Sequence, residues 1–286
     1  MFKDILELTK AKLASFVILT AAVGYVVAAR DQFDWLQFAI TVLGTAGAAF
    51  CANAFNQVIE VERDAKMART VNRPIPAGRM TRVTASLIAA SLGVAGVASL
   101  AMWINLLTAA LGLLTIFLYL AVYTPLKPRS HINTLVGSVV GAIPPMMGWT
   151  AVTNSIDSGA WALGSILFVW QIPHFLALAW MYRRDYASGG YKMLPIADES
   201  GQQTARITVV WAFLMLPASL SIVWLRLAGF AYGAVSVVAG LWLIWLAFKF
   251  LNDKKDQSSR KLFFASITYL PIVLLVMVID KPSYWF

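Results

Sequence analysis

Apolar residues run along this chain in nine long blocks separated by polar punctuation. The blocks fall near 13–29, 36–55, 84–103, 105–124, 134–153, 160–180, 207–226, 229–248 and 263–279. Each approaches the roughly 20 residues that a helix needs to cross a bilayer. Two separators are long and polar, 56–83 and 181–206, whereas others, such as Trp103-Ile104-Asn105, leave no room for a soluble domain. The pattern predicts an all-α polytopic membrane protein, nine transmembrane helices around a central cavity, forming one integral domain over 1–286.

Composition sharpens this. With 59% hydrophobic and 13% charged residues, the chain lacks the polar surface of a water-soluble globule. A single cysteine, Cys51, excludes a disulfide scaffold and fits a packing role. The net charge of +9 points away from nucleic acid once the basic residues are located. Twenty of the 23 Lys and Arg residues lie in the N-terminal segment or in the connections after the second, fourth, sixth and eighth blocks. The other side carries only Arg30, Arg226 and Lys281. The positive-inside rule then puts the N-terminus and the basic loops in the cytoplasm and the C-terminus outside. The lysines before the first block also fit a signal peptide, but that block is long for one and is read as a retained helix. Without an Arg- and Ser-rich presequence, the expected location is a prokaryotic plasma (inner) membrane.

The chemistry gathers in the two long separators. Asn56, Glu60 and Asp64 stand at i, i+4 and i+8. On a helix these drift by about 40° and rise by about 6 Å per step, so three oxygen-bearing side chains form a column on one face, with Arg63 close to the same direction. Stacked carboxylates repel unless a cation compensates them, and hard oxygens suit Mg²⁺ bound together with substrate phosphates. Arg69, Arg73 and Arg79 follow and offer bidentate contacts to polyphosphate, while Pro74 and Pro76 make the segment a stiff loop able to fold back. The plainer alternative is a solvated helix end paired with Lys66 and Arg69. A transporter would instead place its ionisable groups along a path at membrane depth.

The stretch Asn56-x-x-x-Glu60-x-x-x-Asp64 resembles the first aspartate-rich motif of the UbiA-type intramembrane prenyltransferases, with Glu60 where the motif has Asp. Met67-x-Arg69-Thr70-x-x-Arg73-Pro74 resembles the heme-modifying branch of that family, as does Ala142-Ile143-Pro144-Pro145-Met146-Met147-Gly148-Trp149. In the second separator Arg184-Asp185-Tyr186 precedes Gly189-Gly190-Tyr191-Lys192-Met193-Leu194, so one acid, Asp185, stands where most of the superfamily has two. The resemblance implies transfer of a farnesyl group from farnesyl diphosphate to a vinyl group of heme B, giving heme O. It implies Asn56, Glu60, Asp64 and Asp185 as catalytic residues, the first three as Mg²⁺ ligands. It also implies diphosphate contacts from Arg69, Arg73, Lys127, Arg183 and Arg184, with Asn133 a further candidate. Asp185 either completes the metal's surroundings or holds Arg183 or Arg184. The implied partners are farnesyl diphosphate, heme B, membrane lipid and, by contact, heme-processing or oxidase-assembly proteins.

His174 lies in an apolar run beside Pro173. It either ligates or flanks heme, pairs with a propionate, or is a neutral residue bonded to a backbone carbonyl freed by the proline. His131, in a polar loop, is expected to be simply exposed. Gly137-x-x-x-Gly141 and Pro144-Pro145 suit close helix packing and a kink. Two rivals stay open: a prenyltransferase acting on an aromatic quinone precursor, and a non-catalytic heme or lipid transporter.

Overall fold

A computed structural model describes residues 1–280, and within them nine helices are long and apolar enough to cross a membrane. Lys281 lies outside the described residues. A short α1 (Phe2–Leu8) leads into α2 (Ala11–Ala29), α3 (Trp35–Asp64), α4 (Arg82–Trp103) and α5 (Leu106–Leu126). Then come α6 (Asn133–Thr153), α7 (Ser158–Met181), the short α8 (Arg183–Ser188) and α9 (Leu194–Ala197), and finally α10 (Gln202–Trp224), α11 (Phe230–Asp253) and α12 (Asp256–Ile279). No strand occurs among the described residues.

The helix starts follow capping chemistry present in the sequence. Asp34 Oδ1 accepts from the Leu36 and Gln37 amides at 2.8 and 3.0 Å, Thr81 Oγ1 from Thr84, Asn105 Oδ1 from Thr108, and Asp157 Oδ1 from Gly159. Each satisfies an amide that the first helical turn leaves open. The two largest departures from the hydropathy reading lie at the ends of the second and last spans. The second span continues to Asp64 rather than ending near 55, and the last begins at Asp256 rather than near 263. Hydropathy marks where the hydrocarbon ends, whereas the 30 residues of α3 reach about 45 Å. Helix-favouring Gln, Glu and Arg carry the coil onward past the apolar block.

The chain forms two compact units: Met1–Ser155 with Arg184–Lys192, and Ile156–Arg183 with the chain from Met193 onward. In the first unit α3 packs along α4 and α2 along α6. The α2–α6 contact is close enough that a Cβ on Gly148 would collide with the Ala21 carbonyl oxygen. Small residues allow such approach where no hydrophobic force drives helices together in lipid. Pro144 and Pro145 are buried within α6, which stays helical through them. Gly148→Ala is therefore expected to cost about 1–3 kcal/mol, the overpacking range. A lower melting temperature in detergent would show it, and melting together with the unaltered protein would show that the two helices separate easily.

In the second unit α7 packs on α10 and α12, and α11 on α10 and α12. Several of its buried polar groups find partners, as membrane interiors favour. The Ser219 and Tyr269 hydroxyls lie 2.7 Å apart, Tyr232 donates to the Ser219 carbonyl at 3.1 Å, and Ser259 donates to the Ala177 carbonyl at 2.9 Å.

Candidate active site

The oxygen column forms at the last three turns of α3, inside the first unit. Asn56, Glu60 and Asp64 are all buried. Asn56 Nδ2 donates to Glu60 Oε2 at 2.8 Å and to Thr124 Oγ1 at 3.1 Å, while Lys10 Nζ donates to Asn56 Oδ1 at 2.8 Å. Lys127 Nζ lies 3.0 Å from both Glu60 carboxylate oxygens. Arg73 Nη1 donates to Asp64 Oδ2 at 2.7 Å. Each rung of the column thus meets one cation: Lys10, Lys127, Arg73. The pairing replaces the simpler partner set of Lys66 and Arg69, because the proline-containing turn after α3 brings Arg73 back onto the helix end. Thr70 helps by donating to the Asp64 backbone carbonyl at 2.8 Å.

The cations reach the column by features invisible to hydropathy. Lys10 sits between α1 and α2 in a left-handed conformation, φ 50° and ψ 46°, a strained choice for a residue with a side chain. Lys127 follows a π-helical stretch, Leu118–Tyr123, at the end of α5. Such stretches gather at functional sites because they shift the side chains that follow them. Here the shift leaves Lys127 Nζ 4.7 Å from the Tyr123 ring centre and 5.9 Å from that of Tyr191. Burial works against the charge on Lys127, but the Glu60 carboxylate outweighs it and holds the lysine well above its ordinary pKa. Lys10 has no such neighbour to itself. Burial first, then the charges of Arg73 and Lys127, lower its pKa to about 7. Burial, and then Glu60, push the Tyr191 phenol up.

The segment Arg184–Lys192 closes over the same region. Asp185 Oδ1 accepts from the Ala68 amide at 2.9 Å, and its Oδ2 lies 3.7 Å from Arg69 Nε. Arg63 Nη1 donates to the Gly189 and Gly190 carbonyls at 3.0 and 3.1 Å. Gly190 takes φ +70°, which places those carbonyls and the following Tyr191. Asn133 Nδ2 donates to the Lys192 carbonyl at 3.0 Å, and the Lys192 amide to the Lys127 carbonyl at 2.8 Å. Asp185 is therefore tied to the loop after α3 and to Arg69, and not to Arg183 or Arg184.

Several expected contacts lie elsewhere. Arg79 is engaged by Asp4 and Glu7, each at 2.7 Å. Arg183 belongs to the second unit and donates to the Trp180 carbonyl at 2.6 Å and to Asp256 at 2.7 Å. Arg184 is exposed, and no hydrogen bond or ion pair engages it among the described residues. Arg63 turns to the glycine pair rather than along the column. His174 also lies in the second unit, where Ser266, not a backbone carbonyl, meets its ring. Residues that the sequence did not single out, Lys10, Tyr123, Thr124 and Tyr191, complete the column's surroundings. The trace they leave in sequence is a lysine directly before an apolar helix and a tyrosine, Tyr191, adjoining a basic residue.

These side chains suit a hard divalent ion. Asp64 Oδ1 is buried and has no hydrogen-bond partner among the described residues, and an unpaired buried carboxylate oxygen is costly. No group of three His, Cys, Asp or Glu side chains is placed to hold a metal among the described residues. One or two carboxylates with phosphate oxygens supplying the rest is, however, the usual Mg²⁺ arrangement.

Residues 17–268 match the model of the UbiA prenyltransferase family. A protein of Opitutus terrae named protoheme IX farnesyltransferase is 43% identical over 282 residues, covering 98% of this chain and 95% of that one. Among solved structures, one described by its insights into the biosynthesis of digeranylgeranylglyceryl phosphate synthase in membranes aligns with a TM-score of 0.81. It is 16% identical and 99% of each chain is covered. A UbiA homolog from Archaeoglobus fulgidus bound to GPP and Mg²⁺ aligns with a TM-score of 0.64 at 14% identity, covering 96% of this chain and 99% of that one. The family match over residues 17–268 and the 43% identity over nearly the whole chain show that this chain belongs to the UbiA prenyltransferase family.

Proposed function

We propose that the chain transfers a farnesyl group from farnesyl diphosphate to a vinyl carbon of heme B, forming heme O, in a Mg²⁺-dependent reaction. The observation that carries the diphosphate half is the buried oxygen column with a cation on each rung. With Lys10 protonated, Lys10, Lys127 and Arg73 outnumber Glu60 and Asp64 by one positive charge. A prenyl diphosphate with one divalent ion carries surplus negative charge, which that excess neutralises. The acceptor half rests on the name of the 43% identical relative, and the metal on the GPP- and Mg²⁺-bound homolog.

In this reading Glu60 and Asp64 would hold the ion, with the Asn56 carbonyl oxygen beside them, and the ion would supply charge neutralisation to the leaving diphosphate. Arg73 and Lys127 bind the diphosphate oxygens, and Arg69 is held toward them by Asp185. An anion arriving beside Lys10 favours its protonated form. Loss of diphosphate leaves an allylic cation, which the electron-rich vinyl carbon attacks, and water captures the resulting cation and releases a proton to solvent, leaving a hydroxyl group. The Tyr123 and Tyr191 rings beside Lys127 offer π faces to positive charge. The basic loops face the cytoplasm and the C-terminus lies outside, in the plasma (inner) membrane, as the distribution of Lys and Arg supports.

The test is purified protein in detergent with heme B, farnesyl diphosphate and Mg²⁺, with the porphyrin products weighed by mass spectrometry. Heme O is the expected product. Failure to form it, with turnover of an aromatic quinone precursor instead, overturns the acceptor. Saturating EDTA is expected to lower turnover at least about 100-fold, reversed by excess Mg²⁺. Turnover that survives chelation removes the metal from the reaction.

A further inference from the structure

One histidine remains outside this chemistry. Within the second unit, His174 of α7 stacks against Trp170 and Phe263, with ring centres 4.8 Å apart in each case and interplanar angles of 18° and 25°. Ser266 of α12 fixes both α7 rings. Its carbonyl oxygen accepts from Trp170 Nε1 at 2.8 Å, and its Oγ lies 2.8 Å from His174 Nδ1. The Ser266 hydroxyl proton is spent, because Oγ donates to the Phe263 carbonyl at 2.7 Å. A hydroxyl has one hydrogen to give. With that donation in place the proton of the Ser266–His174 contact is assigned to Nδ1, which leaves the lone pair on Nε2.

That Nε2 has no hydrogen-bond partner among the described residues, and the side chain is half-buried rather than sealed. An imidazole held this firmly, in the tautomer that presents a free lone pair, has the form of a metal ligand with its outer partner in place. No group of three or more His, Cys, Asp or Glu side chains is placed to hold a metal among the described residues, so a bare ion would lack a full set of protein ligands. A metalloporphyrin needs only one, since the macrocycle supplies four nitrogens and leaves an axial position.

We propose that His174 Nε2 is an axial ligand to the iron of the tetrapyrrole acceptor, oriented by Ser266 and by stacking on Trp170 and Phe263. The inference rests on heme being the acceptor. Nε2 donates its lone pair to iron in place of a loosely held water, and the oxidation state does not change. Ligation at the centre fixes the plane of the macrocycle while leaving the vinyl groups on its rim free to react.

The test uses the full-length protein in detergent, titrated with ferric heme B and, separately, with metal-free protoporphyrin IX. Unaltered protein should show the Soret band of imidazole-ligated heme and bind heme more tightly than protoporphyrin IX. His174→Ala should weaken heme binding about 10–100-fold, leave protoporphyrin IX binding unchanged and regain the spectrum with added imidazole. Ser266→Ala should weaken heme binding in the same direction, and it keeps the ligand should His174→Ala fold poorly. His131→Ala, altering the other of the two histidines, should match unaltered protein. Equal heme affinity and spectra with and without His174 overturn the ligation. If heme O still forms in that case, heme remains the acceptor and only the ligation falls. If unaltered protein neither binds heme nor makes heme O, both fall together.

Discussion

Asp64→Asn is expected to lower heme farnesylation about 10²–10³-fold, the cost of removing one electrostatic contact aimed at developing charge. Asparagine keeps the shape of the side chain and loses the charge. In the structure, one Asp64 oxygen is taken by Arg73 at 2.7 Å and the other is buried without a partner. The second oxygen has no structural duty, so its value lies in what it binds during the reaction. Arg73 is 19% exposed and can turn toward water once the charge is gone, so the melting temperature should fall little. Product mass spectrometry and a thermal melt on the same sample separate the two effects. A variant that keeps more than a tenth of the activity would remove Asp64 from the reaction. One that melts far earlier would recast the residue as structural. A transporter lacking catalysis predicts neither loss.

How much of this site the sequence displays depends on whether a residue acts through its own helix. Asn56, Glu60 and Asp64 are legible because their spacing matches the helical turn, and a helix continuing past the apolar block keeps them in line. The nine spans are legible because bilayer thickness fixes their length. The partners are harder. Which arginine meets Asp64 depends on the path of a proline-containing loop. Arg73 returns to the column, whereas Arg79, six residues further, clamps α1 through Asp4 and Glu7. Lys127 owes its place to a π-helical stretch that no periodicity announces, and Lys10 to a left-handed residue between two helices. Counting positive charges assigns both lysines to one side of the membrane without revealing that Lys127 is buried against a carboxylate. The tautomer of His174 is a similar case. It follows from where the Ser266 hydroxyl donates, ninety-two residues away in sequence.

Lys127→Met should destabilise the protein by about 3–5 kcal/mol, the cost of leaving a buried charge without its partner, and should abolish farnesyl transfer. The Lys127 and Glu60 side chains are 10% and 6% exposed, with the ammonium 3.0 Å from both carboxylate oxygens. Methionine fills similar space but offers no donor, so Glu60 loses its ion pair and keeps neutral contacts such as the Asn56 amide at 2.8 Å. Neutral hydrogen bonds do not replace an ion pair withdrawn from water. Adding Glu60→Gln to Lys127→Met removes the stranded charge and should recover most of the stability, because deleting both members of a buried pair costs far less than deleting one. Activity should not return, since the double variant lacks both a diphosphate contact and a metal-binding carboxylate. Melting curves and product masses for the two single variants and the double variant complete the cycle. If the double variant melts no higher than Lys127→Met, the ion pair is not what stabilises the column. If it recovers farnesylation, Glu60 and Lys127 are scaffolding and the reaction rests on Asp64, Arg73 and Lys10 alone.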